Sequence, residues 1–457
     1  MADRRTLLRG GVLFTSDPDM GVLWPGDILV LDERIAAVGP SLAPGDAEVI
    51  ELGGRMVLPG FVDTHRHTWQ SIVRNIAADW TLTDYLAGLH SGLSRHYRPQ
   101  DTYIGNLLGA LEALDSGITT LVDFSHNLFT PEHADAAIQA LRESGMRAVF
   151  AHGGGAKEWG GTRPSDVPHP EDARRVRAQQ FASNHGLVTM AIALRGPQFC
   201  TDETNRHDFS LARDLDLRVN VHIGYGEWGK QGPIRVLERD GLLADTTTYV
   251  HCNTLSDEEL GIIRDSGGTV SVAPDVEMQM GHGWPATGRL LAHGIRPTFG
   301  IDVCSSNGGD MFATMRTAIG VQRALDNSDA VEAMENVDRL TITCRDVLEF
   351  ATVDGAHAAG LDGVTGSLTP GKEADLIILR GDSLALSPVN NPAGSVVYGA
   401  HPGLVEDVMV AGAWRKRHGQ LVDVDRARVL RLADDARDHV FAAFGQGSIG
   451  GDWMPRA

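Results

Sequence analysis

The stretch LPGFVDTHRHTWQ (Leu58–Gln70) sets an apolar run against two histidines one residue apart. Residues two apart on a strand project from the same face. A strand continuing through MVLPGFVDTHRH therefore presents His65 and His67 side by side at its C-terminal end. Paired imidazoles in that place suit a metal ion, and the reading requires further ligands elsewhere in the chain.

From Arg55 onward one unit recurs: a short apolar run, a helix-like segment, a glycine, then the next run. The candidate strands are MVLPGFVD, ITTLVDF, RAVFAH, VTMAIALR, RVNVHIG, TTYVHC, TVSVAP and RPTFGID. Between them lie helix signals. SDEELGIIRDSGG opens with Ser256 and, three residues on, Glu259, a capping-box pattern. It closes on Gly267, suited to the left-handed turn after a helix. Gly117, Gly145, Gly186, Gly241 and Gly294 occupy equivalent stops. Eight units in succession predict an α/β fold, a parallel (β/α)8 barrel ringed by helices. An open doubly wound sheet is the alternative, but no G-x-G-x-x-G opens a helix after a strand.

The barrel is placed at residues 58–366. Residues 1–57 and 367–424 carry short β-like stretches and are expected to form one small β domain from both termini. In the last segment, 425–457, Val429, Leu432, Ala436 and Val440 fall on one helical face, predicting an amphipathic helix and tail. The Gly/Pro-rich excursion from Trp159 to Pro170 is read as a lid or a surface loop.

The chain has 457 residues, 40 basic and 60 acidic, for a net charge of −20. That balance argues against nucleic acid and anionic membrane surfaces as partners and leaves a small-molecule substrate open. The four cysteines form no C-x-x-C, which fits a reducing cytoplasm. No signal peptide and no membrane span is read. A homodimer or larger homo-oligomer is expected.

Chemistry in such a barrel collects at the C-terminal ends of its strands. His65 and His67 end the first, His222 the fifth, His251 the sixth and Asp302 the eighth. Three imidazoles and a carboxylate suit one divalent ion, zinc first and ferrous iron second. Zinc lowers the pKa of bound water to about 7, giving a hydroxide nucleophile. Asp302 can ligate the metal and accept the water's proton. His251 can polarise the substrate or bind the tetrahedral intermediate. His126, His152 and Gln198 follow the second, third and fourth strands and are candidate substrate contacts. Trp69 and Trp159 could stack on a flat substrate, and His282 is placed at the mouth.

These motifs resemble the amidohydrolase superfamily, in the branch of cytosine and guanine deaminases, methylthioadenosine/S-adenosylhomocysteine deaminase and the triazine hydrolases. LPGFVDTHRH resembles the first-strand metal motif, VHCNTLSDEEL the sixth-strand histidine motif, and GIDVCSSNGGDMFATMR the eighth-strand aspartate motif. GSLTPGKEADLIIL resembles the return into the composite β domain. The resemblance implies a distorted (β/α)8 barrel with a β-sandwich from both termini. It implies metal ligation by His65, His67, His222 and Asp302, with His251 in the site. Two-metal members use a carboxylated lysine on the fourth strand. TMAIALRGPQF has none, so one metal is expected.

One position departs from the pattern. Deaminases of this branch carry a glutamate three residues after the fifth-strand histidine, to move a proton to the ring nitrogen. This chain has Tyr225 there, and the next acid is Glu227. Either Glu227 reaches inward as the shuttle, or the reaction needs none. The leading expectation is a mononuclear metal-dependent aminohydrolase acting on a C–N bond of a small nitrogen heterocycle. The runner-up opens a ring or removes another leaving group, and a third reading is a noncatalytic barrel scaffold.

Overall fold

The computed structural model describes residues 4–155 and 164–445. Eight parallel strands follow one another around the sheet in chain order. They are Phe61–Arg66, Ile118–Ser125, Arg147–His152, Val188–Leu194, Val219–Ile223, Thr247–His251, Thr269–Val272 and Pro297–Phe299. A parallel bridge between Arg66 and Asp302 brings the eighth strand's end back to the first. The second and third strands are buried at every residue, as expected where helices cover a parallel sheet. The helix after the sixth strand runs Asp257–Ser266, with the Ser256–Glu259 capping box formed and Gly267 at φ 76° beyond it.

The apolar run that opens the barrel divides in two. Met56–Pro59 joins the second sheet, beside Val12–Leu13 and antiparallel to Leu376–Leu379, and only Phe61–Arg66 enters the barrel. Gly60 is the break. A Cβ there would lie 2.1 Å from Thr119 Oγ1, so the chain can cross between the sheets at this point only without a side chain. The second sheet has nine strands and draws on both ends of the chain, from Arg5–Phe14 to Val405–Val410 and beyond.

The terminal helix, Arg426–Phe444, buries Val429, Ala433, Ala436 and Val440 against the helix Pro99–Asp115, while Leu432 is half-buried at the edge of that contact. Residues 159–163 of the expected lid, including Trp159, lie outside the described residues. The rest of that excursion runs beside the end of the fourth strand, where Ser165 N donates to Phe199 O. No helix among the described residues is long and apolar enough to cross a membrane.

Gly60→Ala should lower stability by about 1–3 kcal/mol, the usual cost of forcing an extra carbon into a filled core. The measurement is the urea unfolding midpoint. An unchanged midpoint would mean that the strands bearing Gly60 and Thr119 can move apart freely.

Candidate active site

The seam between the first and eighth strands holds the polar cluster. Asp302 N donates to His65 O and His67 N donates to Asp302 O, each at 2.8 Å. The Asp302 backbone is left-handed, at φ 63°, and so is that of His251, at φ 83°. Non-glycine residues in this region are uncommon, and such strain gathers where side chains must be aimed.

One ligand atom from each of His65, His67, His222 and Asp302 can be chosen so that all four lie within 4.8 Å of one another. Nε2 of His65 and of His67 stand 3.4 and 3.2 Å from Asp302 Oδ1. Donors about 2.0–2.2 Å from a tetrahedral ion are separated by roughly 3.3–3.6 Å, so this spacing suits a metal. The far side of each ring is tied down. His65 Nδ1–H donates to Asn220 Oδ1 (3.1 Å), and His67 Nδ1–H donates to the Phe124 carbonyl (3.0 Å). These bonds select the tautomer that turns Nε2 inward. Nε2 of His65 is buried with no hydrogen-bond partner, an arrangement a cation would satisfy. Burial pushes the His65 pKa down to about 4, which keeps the ring neutral, as a ligand must be.

The other Asp302 oxygen faces elsewhere, with Oδ2 3.7 Å from His251 Nε2. Behind that ring is a fully buried acid, Glu277, in the helix Pro274–Gln279 that follows the seventh strand. Glu277 Oε1 accepts from Ala273 N (2.8 Å) and from His251 Nδ1–H (3.1 Å). Burial pushes its pKa up to about 7. His282 packs edge-on to His251, with ring centres 4.8 Å apart.

The remaining sequence candidates take varied places. Glu227 is exposed, in the turn leading into the short helix Trp228–Gln231, and is not part of the cavity wall. Tyr225 is the residue of that loop that turns inward, buried against His251 and His282. The inward shuttle expected of Glu227 is thus not what this loop presents. Its two extra residues carry the carboxylate past the barrel rim, where water solvates it.

Trp69 is fully buried in an apolar cluster rather than placed to stack on a substrate. Its Nε1–H donates to His126 Nδ1 (3.0 Å), and His126 stacks on His67 at 4.0 Å. His126 Nε2 in turn meets His90 Nε2 at 2.7 Å, and His90 does line the cavity. His152 pairs with His169 at 3.0 Å, and Gln198 Oε1 accepts from Gly224 N at 2.8 Å. Both stand outside the cavity wall and brace the loops around it.

Sequence reading did not single out Asn220, Glu277 or Tyr85. Asn220 lies two residues before His222 on one strand, so the period-two rule could have found it. Glu277 had no local signal.

The cavity over the ligands encloses about 30 Å³, the space of one water. Leu82, Tyr85, Leu86 and His90 are among the residues that line it. A larger cavity of about 280 Å³ lies between the helix Pro99–Asp115 and the terminal helix, away from these groups.

Residues 56–415 match the Amidohydrolase family. The chain is 31% identical over 434 residues to a 5'-deoxyadenosine deaminase of Methanothermobacter thermautotrophicus, covering 92% of this chain and 95% of that protein. It is 28% identical to a 5-methylthioadenosine/S-adenosylhomocysteine deaminase of Acetivibrio thermocellus, with 83% and 86% covered. Among solved structures it superposes on an adenosine deaminase from Xanthomonas campestris with bound zinc. The TM-score is 0.82 at 23% identity, over 96% of this chain and 98% of that one. It also superposes on atrazine chlorohydrolase from Arthrobacter aurescens TC1 complexed with zinc, with TM-score 0.82 at 24% identity, over 94% and 100%. At these identities the two structures attest the fold.

Asn220→Ala should loosen metal binding about 10–100-fold, because His65 loses the partner that sets its tautomer. Competition with a chelator measures this. Unaltered affinity would show that packing alone orients His65.

Proposed function

Given that the chain belongs to the amidohydrolase family, and is a metal-dependent hydrolase of C–N bonds in small nitrogen heterocycles, we propose that it releases ammonia from an adenosine-like nucleoside. The observation that carries this reading is the division of labour within Asp302. Oδ1 belongs to the ligand cage, and Oδ2 faces His251. The substrate class is supported by the adenosine-type deaminases that match 92% and 83% of this chain.

His65, His67, His222 and Asp302 would hold one divalent ion, with zinc supported by the zinc-bearing neighbours. When bound, such an ion lowers the pKa of a water to about 7 and so supplies a nucleophile near neutral pH. Asp302 Oδ2 would accept a proton from the attacking water. His251 holds its Nδ1–H on Glu277 and keeps Nε2 toward the reaction. A proton reaching Nε2 makes an imidazolium that the Glu277 carboxylate stabilises, in the manner of the acid behind a catalytic histidine. That cation polarises the substrate as the tetrahedral carbon forms. Leu82, Tyr85, Leu86 and His90, which line the cavity, shield the reacting groups from water. Ring opening or loss of another leaving group is not favoured, since both sequence relatives named above are deaminases. We place the enzyme in the cytoplasm, where its four free thiols remain reduced.

Purified protein should carry about one equivalent of a transition metal and release ammonia from 5'-modified adenosines. Elemental analysis and an ammonia assay over purine and pyrimidine nucleosides test both statements. Two metals, or no turnover of any aminopurine, would sink the reading. His251→Ala should keep its metal yet lose at least about a hundredfold in kcat. Metal loss in that variant would make His251 a ligand instead.

A further inference from the structure

His282 is 3% exposed, and neither of its ring nitrogens has a hydrogen-bond partner. A buried polar group left this way costs about 1–3 kcal/mol. The ring is nevertheless held firmly. Tyr225 stacks on one face, with centres 4.9 Å apart and planes at 28°, and His251 meets it edge-on at 84°. The backbone is pinned as well. Gly226 N donates to His282 O (2.7 Å), and His282 N donates to Glu277 O (2.8 Å). Gly281 and Gly283, on either side, sit at φ 80° and 125°. An unsatisfied histidine fixed so tightly is a group kept for a ligand. It lines the same cavity as His67, His222, His251 and Asp302.

Its neighbour Tyr225 stands where the resembling deaminases carry the glutamate that serves the ring nitrogen. The Gly226–His282 hydrogen bond joins that loop to the loop bearing His282, so His282 occupies the side of the site which that acid would serve. We propose that His282 contacts the substrate directly, donating a hydrogen bond to the ring nitrogen next to the carbon that loses its amino group, with Tyr225 as its platform. This rests on the deaminase reading above. Burial, with His251 alongside, pushes the His282 pKa down to about 3, so the ring is neutral with one N–H and one lone pair. The N–H suits the ring nitrogen of an amidine edge.

The test uses metal-loaded protein and two ligands, the substrate nucleoside and its analogue with that ring nitrogen replaced by C–H. In the wild type the inhibition constant of the analogue should exceed the KM of the substrate nucleoside at least about tenfold. In His282→Ala the discrimination should vanish, with metal content unchanged and kcat/KM for the true substrate down about a hundredfold. His282→Asn, which keeps an N–H, should recover part of both. Equal discrimination in wild type and His282→Ala, or metal loss in both variants, would overturn the proposal. Wild-type protein that neither binds nor deaminates any nucleoside would overturn the deaminase reading, and this assignment would fall with it. Wild-type turnover with unchanged variants refutes His282 alone.

Discussion

Two backbone hydrogen bonds at the barrel seam, from Asp302 N to His65 O and from His67 N to Asp302 O, set His65, His67 and Asp302 against one another. They require the eighth strand's end to lie directly against the first. Gly300 allows that approach, since a Cβ there would sit 2.8 Å from both Cβ and O of His65. Asp302 then takes a left-handed backbone, and its carboxylate swings over the imidazoles. The same backbone contacts that close the barrel bring Asp302 against His65 and His67. A shift of one residue at the seam would undo both, because strand side chains alternate between faces.

Arg66, the residue between the paired histidines, shows what sustains that closure. It is fully buried, 3.6 Å from Asp63 and 2.6 Å from Glu112 on the flanking helix. Asp63 in turn accepts from Ile301 N and His65 N, which ties it to the eighth strand. Burial pushes the Asp63 pKa up to about 6, and Arg66 opposes that rise. A buried pair of this kind adds little net stability, yet removing one partner is costly because the other charge is stranded. Its use here is to lock register beneath the histidines.

On the opposite side of the cage, the polar groups come from loops rather than strands. Glu277 backs His251, and His282 stands beside it on Tyr225. Tyr225 lies on the loop after the fifth strand, Glu277 on the helix Pro274–Gln279 after the seventh and His282 just beyond that helix, and the Gly226–His282 hydrogen bond joins the two segments. The result is a histidine-rich wall in which one acid is withdrawn behind an imidazole instead of facing the cavity. Its burial keeps the surroundings of low polarity, where each hydrogen bond to a reacting atom counts for more than in water.

The eight strand–helix units, the β domain drawn from both termini and the amphipathic terminal helix were legible in the amino-acid order, because they follow from periods of two and 3.6 and from local caps such as Ser256 and Glu259. The positions of His65, His67, His222, His251 and Asp302 at strand ends followed from the same periods and from the barrel rule. The division of MVLPGFVD at Gly60 was not legible, since it depends on Thr119 across the sheet. Nor was the choice of Tyr225 over Glu227 as the inward side chain, which a hydrogen bond to His282, more than fifty residues on, helps to set. Trp69 looked equally suited to a cavity wall or a core, and only packing against Tyr97 and His126 placed it in the core. Local order settles what a segment becomes and which face its side chains share. Which buried acid stands behind His251, and which histidine is left without a partner, is decided by contacts between loops that only the closed barrel brings together.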